Sequence, residues 1–290
     1  MASRQQIKRR IGSVRNTRQI TRAMQLMSAS KLKRAQDAVM GPREYSAVAR
    51  EMLTHLRKLS ENDLSFGLFE VRPIKQRLVI VISSNQGLAG AYDPNVIRRL
   101  IKELTADRMA GIESSVIPVG RKVAQAASRL NKLRVPAVYN ELPEHPNAAD
   151  LRPLLNTIVD QFTNGDVDAV DIVYTRFKST MSQEVILQRL LPAGFEEVEV
   201  SPEIAHATVE PSLEELARAA TIRLLEAQLY QARLEAVASE QSMRMIAMKN
   251  ATDNAGDLID DLSLEYNNAR QAAITQELAE ISGGAEALND

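Results

Sequence analysis

The sequence contains no cysteine and no tryptophan, and only three histidines among its 290 residues. Without cysteine there is no disulfide, no thiolate metal site and no cysteine nucleophile. His55, His145 and His206 lie far apart, and no two of them have the spacing of metal ligands, so no metal site is expected. Aromatic residues make up only 4% of the chain. That scarcity of bulky core residues suits a protein with much of its length in elongated helix. No stretch approaches the ~18 consecutive apolar residues that a membrane span needs. The start is arginine-rich and lacks an apolar core, so no secretory signal peptide is expected. Apolar residues at 44% and charged residues at 25% are otherwise ordinary for a globular protein, and the length admits two structural parts.

Proline is missing from residues 212–282, and glycine occurs there once, at Gly256. Leu, Ala, Glu, Gln, Arg and Met fill the run, and these are strong helix formers. Ser212 with Glu215 fits a capping box at its start. A continuous helix over these residues would extend roughly 105 Å, far more than a globular domain uses internally. It must span a partner helix or a larger assembly.

The net charge of −1 conceals an asymmetry. Residues 1–58 carry 14 Lys and Arg against 3 Asp and Glu, a net of +11, whereas residues 212–290 carry 6 against 14, a net of −8. Ends of opposite sign either lie together or face oppositely charged partners.

Residues 3–40 have a helical pattern, with apolar groups at Ile7, Ile11, Val14, then Ile20, Met24, Met27, then Leu32, Ala35, Val39. The phase slips between groups, which a strict heptad would not do. Three readings compete for this basic helix: a mitochondrial presequence, a nucleic-acid-binding arm, and one strand of a coiled coil with a basic outer face. The pattern continues toward Leu59 without a cleavage-like boundary, which weakens the first. The absence of interleaved aromatics weakens the second. Gly41-Pro42 is expected to kink or restart the helix. Residues 60–73 read as a linker.

Between the two helical ends the character changes. Leu78–Ile82 is a continuous run of apolar, mostly β-branched residues, the mark of a strand buried on both faces. Helices are expected over Pro94–Leu104, Lys122–Leu133 and Leu151–Thr163, the last with Pro153 in its first turn, and strands over Ser115–Gly120, Val135–Tyr139, Ala169–Phe177 and Glu184–Leu191. The short loop Lys178–Gln183 makes the last two strands antiparallel. Alternating strands and helices point to an α/β domain with a largely parallel sheet. Residues 192–211 contain three prolines and read as a connection or exposed arm.

The loop Ser83–Asp93 follows the first strand, where many α/β folds bind phosphate. Its sequence is neither GxGxxG nor GxxxxGK[ST], and a tight structural turn is the better reading. No Ser-His-Asp arrangement can be placed. Asp260-Asp261 falls on a solvated helical face, and Met243, Met245 and Met248 read as adaptable contact residues rather than a soft-metal site. With no catalytic centre in view, the chain reads as a moving or structural part.

Small or apolar residues recur at Ala251, Ala255, Leu258, Leu262, Tyr266, Ala269 and Ala273, and their small size admits a second helix at close range. Pairing this stripe antiparallel with the N-terminal helix satisfies both and brings the +11 segment beside the −8 segment. The fold expected is α/β plus a long antiparallel helical coiled coil. A Rossmann-like α/β domain is inserted between the N- and C-terminal helices. The divisions are 1–59 for the N-terminal helix, 74–200 for the α/β domain, 201–211 for a connection and 212–290 for the C-terminal helix.

Four segments resemble the gamma-subunit family of F-type ATP synthases. Arg10-Ile-Gly-Ser-Val-Arg-Asn-Thr-Arg-Gln-Ile-Thr-Arg-Ala-Met24 is similar to the family's N-terminal helix, and Ser84-Asn-Gln-Gly-Leu-Ala-Gly90 to the loop after its first strand. Residues 239–255 match its C-terminal half, and 274–287 fit the signature I-T-x-E-x-x-E-x-x-x-G-A-x-A. Asn85, Ala89 and Gln19 stand where the family often has Asp, Cys and Lys. The resemblance implies a non-catalytic, cofactor-free rotor shaft that couples proton-driven rotation of the membrane c-ring to nucleotide binding in the beta subunits. The partners it implies are the ring of alpha and beta subunits, the epsilon subunit and the c-ring, with no nucleic acid and no direct membrane span. It implies that Met24, with Arg18 and Arg22 nearby, meets an acidic segment of the beta subunit, and that Arg244, Gln271, Thr275 and Glu277 take part in coupling inside the ring. The lack of a transit peptide and of the chloroplast form's cysteine-bearing insert points to a bacterial subunit, peripheral on the cytoplasmic face of the cell membrane. The end of the long helix, beyond its partner, is expected to stand single for roughly five turns.

Overall fold

A computed structural model describes residues 4–59, 67–130, 133–140, 142–144, 146–193 and 213–286. The chain divides into two compact units, one of Met1–Ser28 with Arg244–Asp290 and the other of Ala29–Met243. Two helices run through both: α1, Arg4–Leu59, and α5, Leu213–Glu286. Ser212, the expected cap of α5, lies outside the described residues. Helix α1 passes through Gly41 and Pro42 without a break, so the helix does not restart there. Proline removes one intrahelical hydrogen bond, and the regular turns on both sides of Pro42 hold the helix through that loss. No described helix is long and apolar enough to cross a membrane.

In the second unit, β1 (Gln76–Ile82), β2 (Glu113–Val119), β3 (Ala169–Phe177) and β4 (Gln183–Leu191) form one sheet in the order β2-β1-β3-β4. Strand β1 is parallel to β2 and β3, and β4 is antiparallel to β3, as the short connection required. The alternation of β1 divides the core. Leu78, Ile80 and Ile82 face α4 (Ala148–Thr163) and the first part of α5, in a cluster with Leu154, Ile158, Phe162, Leu225 and Leu229. Val79 and Val81 face α2 (Tyr92–Met109) and α3 (Arg121–Ala127), against Val96, Leu100 and Val123. Burial on both faces explains the unbroken apolar run.

The elements depart from expectation at three places. Helix α3 ends at Ala127 rather than continuing to Leu133. Residues 135–139 contribute no full strand: Arg134 and Tyr139 make isolated parallel bridges to Ser115 and Val119. Pro136 lies between those bridges and cannot donate to a ladder. Helix α4 starts at Ala148, so Pro153 sits beyond the first turn, and Asp150 Oδ2 accepts the Asn147 N–H at 2.7 Å to cap it.

One buried ionic network joins α2 to the sheet. The Arg77 Nε donates to Asp171 Oδ2 at 2.5 Å, its Nη1 donates to Asp107 Oδ1 at 2.7 Å, and Arg189 Nε donates to Asp171 Oδ1 at 2.5 Å. Ser114 Oγ completes Asp107 at 2.6 Å. Burial opposes the charge on Arg77, but the attraction of Asp171 and Asp107 outweighs it and raises the guanidinium pKa.

In the first unit, two contacts fix how the helices pair. The Thr21 and Thr252 hydroxyls meet at 2.8 Å, and a Cβ placed on Gly256 would lie 3.6 Å from Arg18 Cζ. Numbers fall along α1 as they rise along α5, so the pair is antiparallel. On α5 the seam runs Met248, Thr252, Ala255, Ile259, Leu262, then the half-buried Tyr266, Ala269 and Ala273. These spacings alternate between four and three without interruption, a regular heptad. The expected stripe was one residue out at two positions: Leu258 is 41% exposed, and Ile259 packs in its place, as Thr252 does beside the half-buried Ala251.

The facing residues of α1 keep the same spacings, at Ile7, Ile11, Val14, Arg18, Thr21, Gln25 and Ser28, with Arg18 exposed and its guanidinium lying over Gly256. The phase slip read from the sequence is therefore a slip of the apolar residues, not of the packing. Ile20, Leu26 and Met27 are 60%, 60% and 58% exposed, while polar side chains occupy the seam beside them.

Candidate functional site

The position that binds phosphate in many doubly wound folds lies at the carboxyl ends of β1 and β3, where the strand order reverses. Here the loop after β1 fills it with its own contacts. Ser83 Oγ accepts the Val123 N–H at 2.9 Å, Ser84 O accepts that of Lys122 at 3.1 Å, and Asn85 Oδ1 accepts that of Arg121 at 3.1 Å. The amides that open α3 are thereby satisfied from within the chain. At α2, the helix that follows the loop, the Tyr92 N–H donates to Ala89 O at 3.2 Å and Asp93 places a carboxylate in the first turn, where an anion would sit. Asp93 closes the other side, accepting from Ser84 N at 3.0 Å and Ser84 Oγ at 2.7 Å. Gly120, at φ 106°, permits the approach: a Cβ there would stand 2.4 Å from Ser83 O. The loop is a structural clasp between β1, α2 and α3.

The residues singled out from the sequence all belong to the first unit, but they form no single centre. Arg18 and Arg22 are exposed on α1, and Met24 is half-buried. Arg244 is buried. Gln271, Thr275 and Glu277 are exposed on α5, with the Thr275 hydroxyl donating to Gln271 O at 3.0 Å. From Arg244 to Glu277 the helix rises about 50 Å. They are strung along a rod, an arrangement suited to contacts with surrounding surfaces and unsuited to chemistry on one small substrate. The pairing register carries Ile7 to the level of Tyr266. Past residue 269 every described side chain of α5 is exposed except Ala273, which is half-buried, and Ile274, Leu278 and Ile281 are among the exposed ones.

The sequence model of the ATP synthase family matches residues 3–288. The ATP synthase gamma chain of Stenotrophomonas maltophilia is 39% identical over 288 residues, covering 99% of this chain and 100% of that one. This chain belongs to the ATP synthase gamma-chain family. The gamma chain of Acidithiobacillus ferrooxidans is 38% identical over 294 residues, with 99% and 100% coverage. Among solved structures, a chain of the Tetrahymena thermophila mitochondrial ATP synthase central stalk and c-ring is 25% identical, with a TM-score of 0.59, covering 80% of this chain and 99% of that one. A chain of the Euglena gracilis mitochondrial ATP synthase, 17% identical over 97% of this chain and 93% of that one at a TM-score of 0.65, shares the fold.

With the family established, a further group of residues stands out that the sequence reading passed over. From Ala232 to Ser242, α5 is buried at every position, polar ones included. Arg233 donates from Nη2 to Leu142 O at 3.0 Å and from Nε to Pro143 O at 3.1 Å. Ser239 Oγ donates to Thr175 O at 3.1 Å, and Ser242 Oγ to Thr180 O at 2.7 Å. A signal was present in the sequence. Ala-Arg-Leu-Glu-Ala-Val-Ala-Ser-Glu-Gln-Ser offers no wholly polar face, as a solvated helix would.

Proposed function

We propose that this chain is the central shaft of a proton-translocating F-type ATP synthase and is itself non-catalytic. Its helical pair enters the ring of alpha and beta subunits, and its α/β domain rests on the epsilon subunit and the c-ring. Rotation of the c-ring turns the shaft, whose asymmetry offers each beta subunit a different surface in turn. The shaft thereby acts as a partner with different affinity for each beta conformation, which is how it drives nucleotide binding and release without a nucleotide site of its own. The complex lies on the cytoplasmic face of a bacterial cell membrane, with this subunit peripheral to it. The working parts follow residues 1–59, 74–200, 201–211 and 212–290.

The observation that carries this reading is the overhang of α5. An exposed helix end with Ile274, Leu278 and Ile281 in solvent is matched by a bearing supplied by other chains. In this reading Arg18 and Arg22 face an acidic segment of the beta subunit with Met24 packed beside it, while Arg244, Gln271, Thr275 and Glu277 contact the inner wall of the ring. The basic face of α1 then has a protein partner rather than nucleic acid.

Truncation before Thr275 tests it in the assembled enzyme. ATP-driven proton pumping should fall while the α/β domain stays folded, and pumping at the wild-type level would sink the coupling role of these residues. Covalent attachment to one beta subunit separates rotor from static tether: a rotor stalls, and a tether works on.

A further inference from the structure

We propose that residues 232–242 of α5 are the joint through which torque passes between the α/β domain and the shaft, with Arg233, Ser239, Gln241 and Ser242 as its keys. The proposal rests on the reading of the chain as a rotor. The hydrophobic contribution of burying a helix is non-directional and does not by itself specify the helix's angle about its axis. Hydrogen bonds are directional, and their placement around the helix decides whether it can turn in its socket.

At about 100° per residue, Ser242 lies roughly 180° around the axis from Arg233, with Ser239 at roughly 240° and Gln241 at roughly 80°. The keys therefore grip α5 from all sides, over about 13.5 Å of its length. Their acceptors belong to different parts of the domain. Thr175 lies within β3, Thr180 in the turn between β3 and β4, and Leu142 and Pro143 precede α4. Gln183 Nε2, at the start of β4, also donates to Ser242 Oγ at 3.2 Å. Glu144 Oε1 accepts from Gln241 Nε2 at 3.5 Å and from Lys31 Nζ at 2.7 Å, so the same carboxylate links α1 to the joint. All these groups lie within the second unit.

These are positioning residues, since they touch no nucleotide and no reacting atom. Chain connections limit any slip to a fraction of a turn, so a loosened joint should show under load. The test uses the assembled ATP synthase in closed vesicles, with Ser239→Ala and Ser242→Ala combined and, separately, Arg233→Met. We expect ATP hydrolysis within twofold of wild type and a steady proton gradient at least threefold smaller. Arg233→Lys, which keeps a donor, should recover most of the gradient lost in Arg233→Met. An unchanged gradient in both variants would overturn the joint, and so would a parallel fall of hydrolysis and pumping, which marks simple misfolding. Failure of the rotor reading itself would appear separately, as a wild-type complex in which cross-linking this chain to a beta subunit leaves pumping intact.

Discussion

Thr21 and Thr252 are 231 residues apart in the chain, and their hydroxyls meet at 2.8 Å in the seam between the two long helices. Each also contacts its own helix, Thr21 at Arg18 O and Thr252 at Met248 O. A polar pair therefore stands where a coiled coil normally places leucine or isoleucine. Replacing one hydroxyl removes the bond between the helices and leaves the other with its own carbonyl and an apolar neighbour, whereas replacing both with a similar shape restores a matched pair. Thr21→Val or Thr252→Val alone should destabilise the helical pair by about 1 kcal/mol, and the double variant should return to within ~0.5 kcal/mol of wild type. Thermal unfolding of the four members of the cycle measures this, and additive losses would contradict it.

Gly256 faces the Arg18 guanidinium, with room for a methyl group at ordinary contact distance. Glycine within a helix costs backbone entropy without a packing return here. Gly256→Ala should raise stability by about 1 kcal/mol, seen as a higher melting temperature. Gly256→Leu should instead push Arg18 out of the notch and cancel that gain.

Asp171 is 1% exposed and receives both Arg77 and Arg189. Without Asp171 the buried Arg77 loses one carboxylate and keeps Asp107, while Arg189, whose side chain is 39% exposed, is left to water. Asp171→Ala should cost about 2–3 kcal/mol. Urea unfolding with hydrogen exchange in β1 and β3 should locate the loss there, and a loss spread evenly over the helical pair would contradict the assignment.

Asp168 Oδ2 accepts the backbone N–H groups of Gln76 and Lys75 at 2.9 and 2.8 Å. The Gln76 bond first, then that of Lys75 and the nearby Arg72 charge, outweigh burial and hold the carboxyl below its ordinary value. The folded pKa is thus lower than the unfolded one. Its contribution is full above the ordinary carboxylate range and is lost as pH falls through the depressed folded value. The stability gap between wild type and Asp168→Asn should accordingly shrink as pH falls below the ordinary carboxylate range. A gap independent of pH in denaturant titrations would contradict this.

The sequence by itself determined every element whose reason is local. Leu78–Ile82 had to be a doubly buried strand, because nothing polar interrupts it. The proline-free run of residues 212–282 had to be one helix, and Lys178–Gln183 was too short for anything but an antiparallel return. The family signature lay at the two ends, where Met24 and Thr275 could be placed by motif. Tertiary structure decided what depends on distant partners. Heptad regularity on α1 was hidden, because Arg18, Thr21, Gln25 and Ser28 hold the seam while Ile20 and Met27 point outward. Hydropathy cannot distinguish a polar residue facing a polar partner from one facing water. The same ambiguity moved the α5 stripe from Leu258 to Ile259, since both are apolar and only the partner helix selects between them. Burial of residues 232–242 left a trace in their lack of a wholly polar face, but the acceptors of Arg233, Ser239 and Ser242 are backbone carbonyls, which leave no mark in the sequence.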